Sequence, residues 1–590
     1  MKEFFKFMFA SMLGFFLSIM VIFVISLFLI AGILSAVKSD TEISIDDNSI
    51  LEITLNYPIR ERSANNPFEG FSFGNLIPER DMGLDDVLKN IRKAKNDPKI
   101  KGIFLNLSGV QTGLATVEEI RNVLLEFKES KKFIYAYGEE LSQGAYYIAS
   151  VADRIYLNPQ GSVDFKGLHA ELMFFKGALE KLEIEPQIIR HGKFKSAVEP
   201  FLLDKMSPEN REQIDALMTS IWSDVLTNLA VARKMSTDQL QEIADQFSSR
   251  SAKGALAAGM IDKIAYYDEV LSDLKKASGR GEKEKERFIT LRKYNKAFVK
   301  SDKEWSNQKI AVIYAAGDIV SGKGQEDEIG SERLADAIRK AREDTSIKAI
   351  VLRVNSPGGS ALASDVIWRE TVLAKKVKPF IVSMGDYAAS GGYYISCAAD
   401  TIVAESNTIT GSIGVFGLMF NAQKLFNNKL GITFDTIKTA RFADIGSGTR
   451  AMRDDERSII QDQVENIYDD FITHVSEGRK ISKAQVDSIG QGRVWSGTDA
   501  KRLGLVDVIG GIETAINIAA KKAHLDNYRT IALPEQKEFL DKLLEDMNTE
   551  VRSGIVKEEL GDSYRYYNNL KDLVRQNGIM ARMQVGLEIE

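Results

Sequence analysis

Cysteine and histidine are almost missing from this chain, which has one Cys and four His in 590 residues. A single thiol, Cys397, excludes an internal disulfide framework and any cysteine-based zinc cluster. Its setting, Tyr-Tyr-Ile-Ser-Cys397-Ala-Ala, is that of a small buried filler. Also missing are a His-Glu-x-x-His pair and a phosphate-binding loop ending in Gly-Lys-Ser/Thr, so neither a metal nor an organic cofactor is expected. Positive charge is not in excess: 77 Lys and Arg against 83 Asp and Glu leave a net charge of −6. That is the reverse of a nucleic-acid footprint, and no nucleic-acid partner is expected. With 44% hydrophobic and 27% charged residues the composition is that of a globular protein, and the length calls for several domains.

One absence is local. No charged residue occurs from Phe7 to Val37, and the centre of this run, Leu17–Ile30, is almost wholly apolar. A hydrocarbon core needs about 20 such residues, whereas the apolar region of a cleavable signal peptide has roughly 7–15. The run therefore predicts a single transmembrane anchor, although Ser35-Ala36 offers a weak cleavage site. Lys2 and Lys6 precede it, while Lys38 is followed by Asp40 and Glu42. The positive-inside tendency then puts the N-terminus in the cytoplasm and the bulk on the exported side of the cytoplasmic membrane.

What the chain does contain is a long internal repeat. Gly138-Glu-Glu-Leu-Ser-Gln143-Gly-Ala-Tyr-Tyr-Ile-Ala returns as Gly385-Asp-Tyr-Ala-Ala-Ser390-Gly-Gly-Tyr-Tyr-Ile-Ser, at an offset of 247. Asp97-Pro-Lys-Ile-Lys-Gly-Ile-Phe-Leu returns as Asp344-Thr-Ser-Ile-Lys-Ala-Ile-Val-Leu, and Ala258-Gly-Met-Ile-Asp262 as Leu503-Gly-Leu-Val-Asp507. An offset held this closely over so long a span is duplication. Within each copy, β-branched runs alternate with helical periodicity. In the second copy, strands are predicted at Ile310–Tyr314, Ala349–Val354 and Phe380–Met384, and helices at Ala361–Lys376 and Asp454–Ser476. Such alternation predicts an α/β fold with largely parallel strands. The expected organisation is a cytoplasmic stub and anchor over 1–42, a first repeat over 43–274, a charged linker over 275–309, a second repeat over 310–533 and an extension over 534–590. The Asn-, Pro-, Gly- and Phe-rich stretch Arg60–Arg80 reads as a long surface loop. The extension has charged helical periodicity and no catalytic signature.

The two copies differ where chemistry is expected. Gln143 of the first stands against Ser390 of the second. About fifty residues later Lys195, in His191-Gly-Lys-Phe-Lys195-Ser, stands against Ala443, in Thr439-Ala-Arg-Phe-Ala443-Asp. One half keeps a candidate nucleophile and the other a candidate base, which predicts one composite site. Ser390 follows a buried strand and precedes Gly391-Gly392 and a helical run. Such a turn is expected to present the side chain, with neighbouring N–H groups able to face a reacting carbonyl, but the same position also suits a plain helix N-cap. Asn355-Ser-Pro-Gly-Gly359 is a Gly-rich turn at a strand end, able to place an N–H at a developing oxyanion. The first copy has Leu107-Ser-Gly-Val-Gln-Thr there, so it lacks both the turn and the serine. A lysine serves as base if desolvation or a positive neighbour lowers its pKa. Lys195 has apolar neighbours and fills the slot left empty by Ala443; His191, four residues earlier, stays open as the alternative.

Together, Gly-Lys-Phe-Lys195-Ser-Ala-Val-Glu-Pro-Phe, Asn355-Ser-Pro-Gly-Gly, Ala-Ala-Ser390-Gly-Gly-Tyr-Tyr and Thr410-Gly-Ser-Ile-Gly414 resemble the signal peptide peptidase A family in its long, tandem-domain bacterial form. The resemblance implies tandem Clp protease/crotonase-like domains behind one transmembrane helix. It also implies a serine endopeptidase that degrades signal peptides left in the membrane. By that match Ser390 is the nucleophile, Lys195 the general base and Ser412 a residue that positions the lysine. Gly391 with Gly358 or Gly359 would form the oxyanion hole. Expected partners are hydrophobic peptides, lipid around the anchor, and three further copies in a homo-tetramer. A catalytically silent membrane scaffold of the same fold is the alternative, and a crotonase-like acyl-CoA enzyme a more distant one.

Overall fold

The first sheet shows why the offset recurs. In the computed structural model, which describes residues 2–38, 44–63, 82–281, 284–297, 306–536, 578–583 and 588–589, six parallel strands lie in the order Lys263–Ile264, Arg154–Leu157, Phe133–Gly138, Ile100–Asn106, Ser49–Ile53 and Phe288–Thr290. The second half repeats this order with Val508–Ile509, Thr401–Ala404, Phe380–Ala389, Ile347–Ser356, Lys309–Ala316 and Arg529–Leu533, again all parallel. Parallel strands need crossovers, and crossover helices cover both faces of a sheet. Ile347–Ser356 accordingly reads Ile-Lys-Ala-Ile-Val-Leu-Arg-Val-Asn-Ser, buried at eight of its ten positions. The predicted strands and helices of the second repeat are present: Lys309–Ala316, Ile347–Ser356, Phe380–Ala389, Ala361–Lys375 and Asp454–Arg479.

The second half is longer at the end that matters. Phe380–Ala389 runs for ten residues where Phe133–Gly138 has six, and its extra length pairs with Ile409–Gly411, which pairs in turn with Val494–Ser496. A further sheet then joins the halves. Glu185–Arg190 of the first half runs antiparallel to Phe416–Asn421 of the second, with Arg190 opposite Phe416. Lys195 follows one of these strands closely and Ser412 precedes the other. This pairing is what brings residues far apart in sequence to one place.

Other expectations are answered locally. Lys2–Lys38 is helical, and its Glu3–Ile25 window, with mean hydropathy 2.6, is long and apolar enough to cross a membrane. Cys397 is fully buried, and burial pushes its thiol up to about 12, so it is inert filler. Part of the charged 275–309 stretch is ordered: Phe288–Thr290 is the edge strand of the first sheet and Leu291–Lys296 a helix. The apolar Phe288, Ile289 and Leu291 supply what the surrounding charges do not. The remainder of that stretch, at 282–283 and 298–305, residues 64–80 of the expected Arg60–Arg80 loop, and 537–577, 584–587 and 590 of the extension lie outside the described residues.

Candidate active site

Ser390 sits on a sharp strand-to-helix elbow between Phe380–Ala389 and Gly391–Ser396. Its φ of 54° and ψ of −111° are unusual for a residue with a side chain. Such strain persists only where the surroundings fix it. Here the Ser390 N–H donates to Gly411 O at 2.8 Å, and Tyr394 N–H donates to Ser390 O at 2.8 Å. The side chain makes no N-cap hydrogen bond, so the capping role that the position allows is not used. Instead Oγ lies 2.9 Å from Lys195 Nζ and 3.3 Å from Gly414 O.

Lys195 is 1% exposed. Its amine also reaches Ser412 Oγ at 3.1 Å and Ser412 O at 3.2 Å. Among the described residues no carboxylate pairs with it. Burial alone therefore holds the amine well below its usual value of 10.5. Lys193, two residues away, points out to solvent and contributes nothing to this. A buried amine without a counter-charge, in hydrogen-bond contact with a serine hydroxyl, is equipped to take that hydroxyl's proton. His191 lies elsewhere: its Nδ1 is 2.6 Å from Glu465 Oε2 and its ring stacks on Tyr468 at 3.8 Å.

The Gly-rich turn is placed beside the serine. Gly358 has a φ of +106°, and a Cβ there would strike the Ala581 carbonyl and stand 2.8 Å from Gly391 N, so only glycine fits. Gly359 instead packs against the Ile319 backbone. Of the two glycines left open by the sequence, Gly358 is the one next to Gly391.

Three contributors were not found from the sequence. Gly492, with a φ of +85°, lies so close to the Lys195 backbone that an added Cβ would stand 2.6 Å from Lys195 Cα. The buried Gln213 donates from Nε2 to Phe194 O at 3.1 Å and Ser196 Oγ at 3.0 Å, while its Oε1 accepts from Val494 N at 3.3 Å. It thus clamps the lysine loop of the first half to the second. Met583, from the extension, lines the same small cavity as Lys195 and Ser412. A glutamine within the helix Pro208–Arg233 has no local signature; only its distant partners mark it. Gln213→Leu keeps the volume and removes the clamp. It is expected to lower kcat roughly tenfold, the size of one or two lost buried hydrogen bonds, with KM little changed in steady-state assays.

Comparison with known proteins adds to this geometry. The family model described as peptidase family S49 matches residues 126–280 and 373–526. Protease 4 of Haemophilus influenzae is 39% identical over 456 residues, covering 76% of this chain and 74% of that protein. The chloroplastic serine protease SPPA of Arabidopsis thaliana is 34% identical over 513 residues, covering 85% of this chain and 74% of that one. Among solved structures, ClpP1 from Listeria monocytogenes matches 34% of this chain and 91% of its own, at 16% identity and a TM-score of 0.22. The molecule is a serine protease. More narrowly, this chain belongs to peptidase family S49.

Proposed function

We propose that this chain is a membrane-anchored endopeptidase in which Ser390 attacks and Lys195 is the general base, and that it degrades apolar peptides of the signal-peptide kind. The observation that carries the reading is the 2.9 Å contact between Lys195 Nζ and Ser390 Oγ inside a buried site. Neutral Lys195 takes the Ser390 proton as Oγ attacks a peptide carbonyl. The N–H groups of Gly391 and Gly358 stabilise the oxyanion. In this structure the Gly358 N–H donates to Ser356 Oγ at 3.2 Å, a bond that a reacting carbonyl would have to replace. Lys195 then protonates the leaving amine, and water hydrolyses the acyl-enzyme. Ser412 holds the amine through both of its oxygens, in keeping with a positioning role.

The apolar helix at Glu3–Ile25 supports anchoring, and Lys2 and Lys6 support a cytoplasmic N-terminus with the protease on the exported side. Membrane-bound peptides then lie within reach of the site. Assembly into a homo-tetramer belongs to the same reading. Leu430, Ile432, Phe434 and Ile437 are exposed, and burying such apolar side chains would favour an assembly of this kind.

The test is cleavage of a synthetic apolar signal peptide by the detergent-solubilised protein, alongside Ser390→Ala. Turnover is expected only in the parent, and a serine-reactive acylating probe is expected to label only the parent. A folded parent that neither cleaves nor labels would instead be the silent scaffold. Because the base must be neutral, kcat/KM is expected to climb from neutral toward alkaline pH. A rising limb near pH 6 would move the base to His191.

A further inference from the structure

The loop Gly490–Arg493 stands between the segment that carries Lys195 and the segment that receives its amine. On one side Gln491 O accepts from Phe194 N–H at 3.0 Å, and a Cβ on Gly192 would stand 2.5 Å from Gln491 O. On the other, Gly492 N–H donates to Ile413 O at 2.7 Å, and Arg493 O accepts from Ser412 N–H at 2.7 Å. Gly492 lies against the Lys195 backbone, and a Cβ on Gly414 would stand 2.9 Å from Gly492 Cα and 3.2 Å from Lys195 Cδ. The loop therefore sets the spacing between Lys195 and Ser412–Gly414, whose oxygens receive the amine and the Ser390 hydroxyl.

This loop is not in a relaxed conformation. Gln491 has a φ of 50°, a left-handed value uncommon for a residue with a side chain. Its N–H donates to the Tyr468 hydroxyl at 3.3 Å, and that hydroxyl donates to Asp487 Oδ1 at 2.6 Å. Donation to a carboxylate makes a hydroxyl oxygen the better acceptor, so the two bonds reinforce each other. Tyr468 lies within Asp454–Arg479 and is 3% exposed. Asp487 is in the last turn of Lys483–Ile489, which leads into the loop. The His191 ring covers the tyrosine face and is itself held by Glu465.

We propose that Tyr468 and Asp487 are positioning residues for Lys195: their hydroxyl–carboxylate pair locks the Gln491 turn, and the locked turn keeps the amine within reach of Ser390 and shut off from water. Neither residue touches the reacting atoms. This rests on the reading of Ser390 and Lys195 as the catalytic pair. The charged groups around the lysine are engaged elsewhere. Arg190 donates to the Lys195 carbonyl, Glu199 accepts from Ser207 and Asn210, and Asp386 accepts from Thr116. Arg493 pairs with Glu212, Arg582 with Asp318 and His191 with Glu465. Dryness is therefore what keeps the amine neutral. A loosened loop admits water and lets the amine hold its proton to higher pH.

The test is Tyr468→Phe in the full-length protein, which keeps the ring against His191 and removes the hydroxyl. Against a short soluble peptide, kcat at neutral pH is expected to fall about tenfold with KM unchanged, the scale of lost buried hydrogen bonds. The rising limb of kcat/KM is expected to move toward alkaline pH by about half to one unit, because the amine is less desolvated. Labelling of Ser390 by an acylating probe should slow with the same pH shift. Asp487→Asn leaves an acceptor for the hydroxyl and should retain most of the rate. Asp487→Ala should repeat Tyr468→Phe, and it serves if that variant does not fold. Unchanged kcat with an unmoved limb in the folded variants overturns the inference. So does a loss of kcat or of melting temperature with the limb unmoved, which would make the pair purely structural. Lys195→Ala separates the two readings. Turnover surviving in it sinks the catalytic pair, whereas an inactive Lys195→Ala beside an unaltered Tyr468→Phe sinks only the positioning role.

Discussion

Lys195→Met is expected to cut peptide hydrolysis roughly 10,000-fold, the upper end of what a positioned proton-transfer group contributes, while leaving the protein more stable at neutral pH. The two effects have one cause. Lys195 is 1% exposed, its amine has hydroxyl and carbonyl oxygens as its hydrogen-bond partners among the described residues, and burial holds it well below its ordinary value. In the unfolded chain it titrates near the usual lysine value of about 10.4. Between the lowered folded value and that value the unfolded state binds more protons than the folded one. Stability therefore rises with pH across this window, and the penalty is largest below the folded value. Methionine has similar length and no charge, so it removes the penalty together with the base. The melting temperature of Lys195→Met should exceed that of the parent at neutral pH, with the gap closing toward pH 10. A gap that is absent, or that widens with pH, would mean that the lysine is not held neutral. Lys195→Arg, always charged, should be inactive and less stable than the parent.

The reciprocal differences between the two repeats made the meeting of Ser390 and Lys195 legible in the sequence. Ser390 against Gln143 and Lys195 against Ala443 are differences between copies, and a difference between copies is visible in one sequence. The strands of the second repeat were legible for a related reason: parallel strands covered on both faces are continuous β-branched runs. The contact between the halves was not. Pairing of Glu185–Arg190 with Phe416–Asn421 is a long-range choice that periodicity does not encode. Gln213 and Gly492 act only through that contact, so neither has a motif of its own. The extension misled in a different way. Gly578–Arg582 is too short to register as a strand, and its fit depends on a groove built by residues more than 150 positions earlier.

Arg353→Met is the substitution expected to cost most in stability, about 3–5 kcal/mol, the cost of leaving a buried charge without its partner. Arg353 is fully buried on Ile347–Ser356, the strand that leads into the Gly358 turn. Its Nε donates to Glu61 Oε2 at 2.7 Å, its Nη1 to Ser383 Oγ at 2.9 Å and Met384 O at 3.2 Å, and its Nη2 pairs with Glu119. Both carboxylates come from the first half of the chain. Burial pushes the Glu119 carboxyl up, Arg353 opposes that rise, and Glu61 adds to it. Without the guanidinium, two buried carboxylates would face each other. The damage should reach catalysis as well. Glu61 also accepts from Asn355 Nδ2 at 2.7 Å, and Asn355 Oδ1 accepts from Tyr387 N at 3.1 Å, so the cluster braces both strands that end at Gly358 and Ser390. Thermal melting and kcat should therefore fall together in Arg353→Met. The triple variant Arg353→Met, Glu61→Gln, Glu119→Gln should recover much of the melting temperature, because neutral replacement of a whole buried ionic cluster is often tolerated. It should recover less of the rate, since the amide oxygen left by Glu61→Gln is a weaker acceptor for Asn355 Nδ2 than the carboxylate. If Arg353→Met melts with the parent, the cluster does not hold the halves together, and that task falls to other contacts, among them the strand pairing of Glu185–Arg190 with Phe416–Asn421 and the Gln213 clamp.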